Sequence, residues 1–199
     1  MGQVSDNVTL GATYQSKTYM TKFDRYKGLF ADSGSFDIPT TYGLGAAVKL
    51  SPSFTLAADV QRILYGDVDS ISNAGALTSQ LGSSNGPGFG WDDVTVYKLG
   101  AIYAYDDAIT LRAGYNHSSQ PIGKSQTLFN VLAPGIIQDH FTLGGSYKFA
   151  NKSELSVSYI HAFENKVNGS GSIPAAFGGG EVNIKMYQDA IGIAYNWQL

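Results

Sequence analysis

Along this chain, segments with an apolar residue at every second position are joined by connections that are alternately short and long. Period-two alternation is the signature of β-strands, whose successive side chains point to opposite faces. Leu50 and Phe54 flank the short Ser51-Pro52-Ser53, and Tyr105 and Ile109 flank Asp106-Asp107-Ala108. Phe149 and Leu155 flank Ala150-Asn151-Lys152-Ser153-Glu154. Between these hairpins lie long polar stretches: Ser16 to Pro39, Ile63 to Asp93, His117 to Asp139, and Phe163 to Gly180. A soluble sandwich has no reason to alternate its connections in this way. An outer-membrane barrel does, with short periplasmic turns on one side and long extracellular loops on the other.

The apolar rows are Val8-Leu10-Ala12-Tyr14, Tyr42-Leu44-Ala46-Val48-Leu50 and Phe54-Leu56-Ala58-Val60. Then come Tyr97-Leu99-Ala101-Tyr103-Tyr105, Ile109-Leu111-Ala113-Tyr115, Phe141-Leu143-Gly145-Tyr147-Phe149, Leu155-Val157-Tyr159 and Ile191-Ile193-Tyr195-Trp197-Leu199. That makes about eight strands, near the roughly 9–11 residues that cross a bilayer at a tilt. The predicted fold class is therefore all-β, an antiparallel transmembrane β-barrel. Turn length fixes register. With three residues in the loop, Tyr105 faces Ile109, Ala104 faces Thr110, Ile102 faces Arg112 and Lys98 faces Asn116, so apolar row meets apolar row.

The opposite rows hold Gly, Thr, Ser, Asn and Ala with few charges. Only 15% of all residues are charged, which makes a poor water-facing surface and a good lumen lining. Aromatic residues gather at strand ends. Phe54, Tyr103, Tyr105, Phe149 and Trp197 lie near the short turns, and Tyr14, Tyr42, Tyr97 and Tyr115 near the long loops. Two such belts suit the two membrane interfaces. Gly192, Tyr195, Trp197 and Leu199 resemble the C-terminal signal read by the barrel-assembly machinery.

Other classes find little support. A net charge of −3 argues against nucleic-acid binding, which calls for a basic patch. The absence of cysteine removes disulfide scaffolds, thiolate metal sites and thiol nucleophiles. Asp139 and His140 are neighbours on one strand, so they point apart and form no dyad. No Gly-x-Ser-x-Gly elbow and no phosphate-binding loop occurs. An enzyme is not expected, and no cofactor or metal is called for. The opening Met1-Gly2-Gln3-Val4-Ser5-Asp6 has neither the basic nor the apolar part of a signal peptide.

The stretch from Trp91 to Ala162 resembles the C-terminal part of the FadL/TodX (OmpP1) family of outer-membrane transporters. The residues that carry the resemblance are Trp91-Asp92-Asp93, Tyr97-Lys98-Leu99-Gly100, Tyr105-Asp106-Asp107 and Thr110-Leu111-Arg112-Ala113-Gly114-Tyr115. They continue with Ser119-Gln120-Pro121-Ile122, Leu132-Ala133-Pro134-Gly135, Asp139-His140-Phe141-Thr142-Leu143-Gly144 and Ser158-Tyr159-Ile160-His161-Ala162. Upstream, the stretch from Leu56 to Tyr65 matches a family strand, and the resemblance covers most of Tyr42 to Leu199. The family fold implies about fourteen strands around an N-terminal hatch, an even number as such barrels require. The hatch's Asn-Pro-Ala element and the kinked early strand have no counterpart here. The expected organisation is thus one barrel region over 1–199, without hatch or signal peptide. It is either part of a larger barrel or a small barrel closed from eight strands.

The resemblance implies passive uptake of a hydrophobic ligand, a long-chain fatty acid or an aromatic hydrocarbon, with outer-membrane lipid and the barrel-assembly machinery as further partners. Apolar loop segments suited to holding such a ligand are Leu29-Phe30, Ile63-Leu64-Tyr65, Phe89, Phe177 and the run containing Leu128, Phe129, Val131 and Leu132. Lys98 and Arg112, on polar rows of adjacent strands, are candidates to meet a carboxylate. The plainer alternative is that they partner Asp59 or another lumen acid and brace the wall. Arg62, at a loop border, is open to both readings. Two other functions remain: a soluble lipid-binding barrel of the lipocalin kind, and a small structural barrel with a filled lumen.

Overall fold

Three short turns are held by side chains placed where the backbone needs them. Asp106 Oδ1 accepts the N–H groups of Ala108 and Ile109 at 2.8 and 2.6 Å, an Asx-type turn. Asn151 Oδ1 accepts the N–H and the hydroxyl of Ser153 at 3.1 and 2.6 Å, and Lys152 between them takes φ 66°. Ser53 N–H donates to Ser51 Oγ at 3.3 Å. In this computed structural model, which describes residues 1–75 and 79–197, the turns join the strands of a single antiparallel sheet. Leu199, the last residue of the proposed C-terminal signal, lies outside the described residues.

The strands are β1 (Gly2–Ser5), β2 (Val8–Gln15), β3 (Thr41–Ser51), β4 (Phe54–Ile63) and β5 (Val94–Ala104). They continue with β6 (Ile109–Ser118), β7 (Asp139–Lys148), β8 (Glu154–Val167) and β9 (Ile184–Asn196). Their spatial order follows the sequence, β1 through β9. Among the described residues β1 and β9 are not paired with each other, so the sheet is open. Seven strands, β3 to β9, have membrane-crossing length, β2 is slightly shorter at eight residues, and β1 is a four-residue addition. The β5–β6 register matches expectation: Ala104 pairs with Thr110, Ile102 with Arg112 and Lys98 with Asn116.

The last hairpin differs from expectation. Phe163, read as the start of a loop, lies within β8, and β9 begins at Ile184 rather than near Ile191. A register shift between Ala162 and Asn165 inserts an irregularity there, which breaks the period of two.

The sheet has no core of its own. Its apolar rows are uncovered: Leu99 is 62% exposed and Ile191 74%. Burial is concentrated instead where the long connections fold over the strand ends. Ile122, Ile136, Val167 and Ile184 form one cluster, with Trp91 and Met186 packed against it. Phe30 stacks on Phe89 at 5.1 Å and meets Phe36 edge-on at 5.2 Å, and Phe23 adds to Phe36 at 5.8 Å. The loops are therefore a packed cap at one end of a wall whose apolar face is open to its surroundings.

Candidate functional site on the polar face of the wall

Reading the ladders across the sheet places one polar row at a common level. Gly45 pairs with Asp59, Asp59 with Lys98, Lys98 with Asn116, Asn116 with His140 and His140 with Ala162. All lie on the face opposite the apolar rows. The floor around them is small, with Gly43, Gly45, Ala47 and Ala57 lining a groove of about 660 Å³ beside Asp59, Gln61 and Lys98. At Gly45 the Asp59 carboxylate lies across the space a Cβ would take and would have to swing aside.

Lys98 stands opposite Asp59, the acid named as its alternative partner, but its ammonium donates to Gln61 Oε1 at 2.8 Å. An ammonium has three donors, so two remain for a ligand in this open groove. His140 Nδ1 and Asn116 Oδ1 are 2.9 Å apart. Arg112 donates to Ser146 Oγ at 3.1 Å. It sits four residues along β6 from Asn116, hence about 13 Å from the Lys98 level. The structure thus brings Asp59 and Lys98 together and leaves Arg112 on a separate row.

Arg62 resolves as a wall residue. It donates to Thr95 Oγ1 at 2.7 Å and meets Asp93 Oδ2 at 3.4 Å, on the same side as the apolar row.

The loop segments divide into packed and open ones. Phe30 and Phe89 belong to the aromatic cluster of the cap. Tyr65 meets Trp91 edge-on at 5.0 Å, and its burial pushes the phenol's pKa up. Phe129 packs so closely over Gly75 that a Cβ there would overlap its ring, and Leu128 is half-buried. Leu132 is 73% exposed, and Val131 and Phe177 are exposed with it. Of the predicted apolar segments, these three residues offer open surface. Between the packed segments stands Asn130, fully buried. It accepts from Trp91 Nε1 at 2.6 Å and donates to Phe89 O at 2.6 Å and Gln126 O at 2.7 Å.

The sequence reading overlooked two contacts. Asp139 and His140 do point apart, but Asp139 pairs with His117 across the β6–β7 ladder, Oδ1 to Nδ1, at 2.8 Å. His161 and Asp189 repeat this across β8–β9 at 2.8 Å. Register was the available signal, since both are directly opposed pairs. Among the described residues no cluster of three or more His, Asp or Glu is placed to hold a metal.

A family model described as outer membrane protein transport protein (OMPP1/FadL/TodX) matches residues 1–199. No curated protein matches the chain. Among solved structures, the Pseudomonas putida toluene transporter TodX superposes with a TM-score of 0.62 at 21% identity, over 97% of this chain and 46% of TodX. A Pseudomonas aeruginosa FadL homologue gives 0.63 at 17% identity, over 96% of this chain and 48% of its own. The monoaromatic hydrocarbon channel CymD gives 0.52 at 20% identity, over 81% and 44%. The chain spans less than half the length of these structures, and at such identities the likeness is one of fold.

Proposed function

The chain belongs to the outer membrane protein transport protein family (OMPP1/FadL/TodX), and we propose that it serves passive uptake of hydrophobic molecules, long-chain fatty acids foremost, through a lumen its sheet helps to enclose. Its place is the outer membrane. Residues 1–199 supply a wall segment and the loop cap above it. Asp59, Lys98 and Arg112 line the path, and Leu132 offers apolar surface at its mouth, with Leu128 and Phe129 as the packed support behind it. No reaction and no cofactor take part.

One observation carries this reading. The wall has a continuous apolar face and, opposite it, a small-residue groove lined by Asp59, Gln61 and Lys98, whose polar level continues through Asn116 and His140. A lumen of that kind holds an acyl chain against glycine and alanine while an ammonium with spare donors meets the carboxylate. A bare hydrocarbon needs no such partner. The uptake of aromatic hydrocarbons is the second reading, favoured by the likeness to a toluene transporter and a monoaromatic hydrocarbon channel. A soluble barrel is disfavoured by the uncovered apolar rows.

The test is photolabelling of the purified chain in lipid nanodiscs with a diazirine-bearing palmitate. Competition with unlabelled oleate is expected to remove label from peptides containing 43–47, 57–61 and 96–100 in a saturable way. Competition by toluene instead supports the second reading, and label that no competitor removes contradicts both.

A further inference from the structure

On the lipid-facing rows the Lys185–Glu164 pair lies far toward the loops, and the ionic and hydrogen-bonding side chains nearer the short turns form three clusters that follow one geometric rule. On β4 and β5, Arg62 holds Thr95 and Asp93. On β6 and β7, His117 and the Tyr115 hydroxyl both meet Asp139. On β8 and β9, His161 and the Tyr159 hydroxyl both meet Asp189, at 2.8 and 2.6 Å. Their register positions differ. The row through His117 contains Tyr97 and Val60, so Arg62 lies two residues beyond it toward the loops. The row through His161 contains Phe141 and Tyr115, so His161 lies two residues short of it.

The short turns step in the same direction and by a similar amount. One row runs through Phe54, Tyr103, Leu111, Gly145 and Val157. The turn before β4 ends at this row, at Phe54. The turn before β6 ends two residues lower, at Ile109, and the turn before β8 ends lower still, at Glu154, three residues below Val157. Arg62 and His117 therefore stand eight residues, and His161 seven, above the first residue of their strands.

This is what tilted strands produce. With strands about 4.8 Å apart and tilted about 40°, moving two strands along a ladder changes height by about 6 Å, and two residues of strand restore about 5 Å. The three clusters thus lie at one height, about 20 Å above the turns, close to the height of the apolar band of such barrels. Between the two levels the outward residues are Leu56, Ala58 and Val60 on β4, Leu111, Ala113 and Tyr115 on β6, and Leu155, Val157 and Tyr159 on β8. None is ionic.

We propose that the three clusters form a collar where the wall meets the phosphate-bearing headgroups of the outer leaflet. Ionic side chains are costly against hydrocarbon and tolerated at the interface, so a shared height marks the boundary. Each cluster also presents a donor outward. The Arg62 guanidinium is one, and each histidine, with Nδ1 turned to its aspartate, keeps Nε2 for a headgroup. Such donors suit phosphate.

The chain has no cysteine, so single spin labels at Ala58→Cys, Ala113→Cys and Val157→Cys report depth in vesicles by oxygen and nickel-chelate accessibility. The three are expected to lie equally deep. A label at Phe141→Cys, on the same register row as Ala58, is expected nearer the headgroups. If Ala58 and Phe141 lie equally deep instead, the common height is overturned. For the headgroups the probe is lipid A, added to the whole chain in uncharged detergent. Wild type is expected to unfold at a higher temperature with lipid A, and the triple variant R62A/H117A/H161A to lose at least half of that gain. Lys148→Ala, at the opposite end of the wall, should keep it. An equal gain in the triple variant overturns the headgroup contact.

Discussion

Asp59 stands directly opposite Lys98 across the β4–β5 ladder, yet the Lys98 ammonium donates to Gln61 Oε1 rather than to the Asp59 carboxylate. The cation is positioned in the groove without being neutralised by its cross-strand partner. Its ion-pairing capacity is therefore open to a ligand. Lys98→Met is expected to weaken fatty-acid binding about tenfold, the loss of one charge-assisted hydrogen bond, and to leave toluene binding unchanged. Because the residue is exposed, the unfolding free energy should move by no more than about 0.5 kcal/mol. Isothermal titration and denaturant unfolding read the two effects separately.

Asn130 ties three parts of the cap together with its one amide. Asn130→Ala leaves the Trp91 indole N–H and two carbonyls buried without partners. The expected cost is about 3 kcal/mol. The cost falls on the cap and spares the sheet. Limited proteolysis should cut the 64–93 and 119–138 connections faster in the variant while infrared β-content stays constant.

Gly43 and Gly45 both lie on the groove floor, yet they meet different neighbours. A Cβ on Gly43 would come 2.8 Å from the Val60 carbonyl, which is backbone and cannot yield. At Gly45 the obstacle is the end of the Asp59 side chain, which can swing aside. Gly43→Ala is expected to destabilise the wall by about 1–3 kcal/mol, and Gly45→Ala by much less. Urea unfolding in micelles ranks the two.

The first long connection carries a pH dependence of its own. Burial alone would raise the Asp37 pKa, but bonds from Met20 N–H and the Ser35 hydroxyl, with the Lys17 ammonium, outweigh it and hold the pKa below the usual carboxylate range. A depressed folded pKa gives stability that is complete above the unfolded value of about 3.9 and is lost as pH falls through the folded one. Asp69, raised by burial and by Asp32 beside it, works in the opposite direction, so the useful quantity is wild type minus Asp37→Asn. That difference in protease resistance of residues 16–40 should be largest near neutral pH and shrink on acidification below about pH 4.

The β5–β6 register was legible because a three-residue turn and two apolar rows left only one pairing that kept both rows on one face. The same periodicity puts Asp59 and Lys98 on one face, but the long 64–93 connection left their direct opposition unread. The Lys98–Gln61 bond was hidden too, since it runs diagonally and depends on the rotamer of a long side chain. The upper half of the β8–β9 hairpin was hidden because Glu164, Lys166 and Lys185 replace apolar residues there and the irregularity after Ala162 shifts the phase. β1 was hidden because Val4 is the one large aliphatic side chain in Gly2–Ser5. In the loops, composition showed apolar side chains but not which ones satisfy each other. Phe30 and Phe89 stack together while Leu132 stays open, a distinction set by contacts distant in sequence.

The central claim is that this sheet separates lipid on its apolar face from a polar lumen on the other, and cysteine scanning of β5 in vesicles tests it most directly. Each position from Tyr97 to Tyr103 is changed singly to cysteine and challenged with a charged, water-soluble thiosulfonate and with a lipid-soluble maleimide. The account predicts strict alternation: Lys98, Gly100 and Ile102 positions react with the water-soluble reagent, and Tyr97, Leu99, Ala101 and Tyr103 positions with the lipid-soluble one. Alternation in the opposite phase, or equal reaction of both sets with the water-soluble reagent, would contradict it.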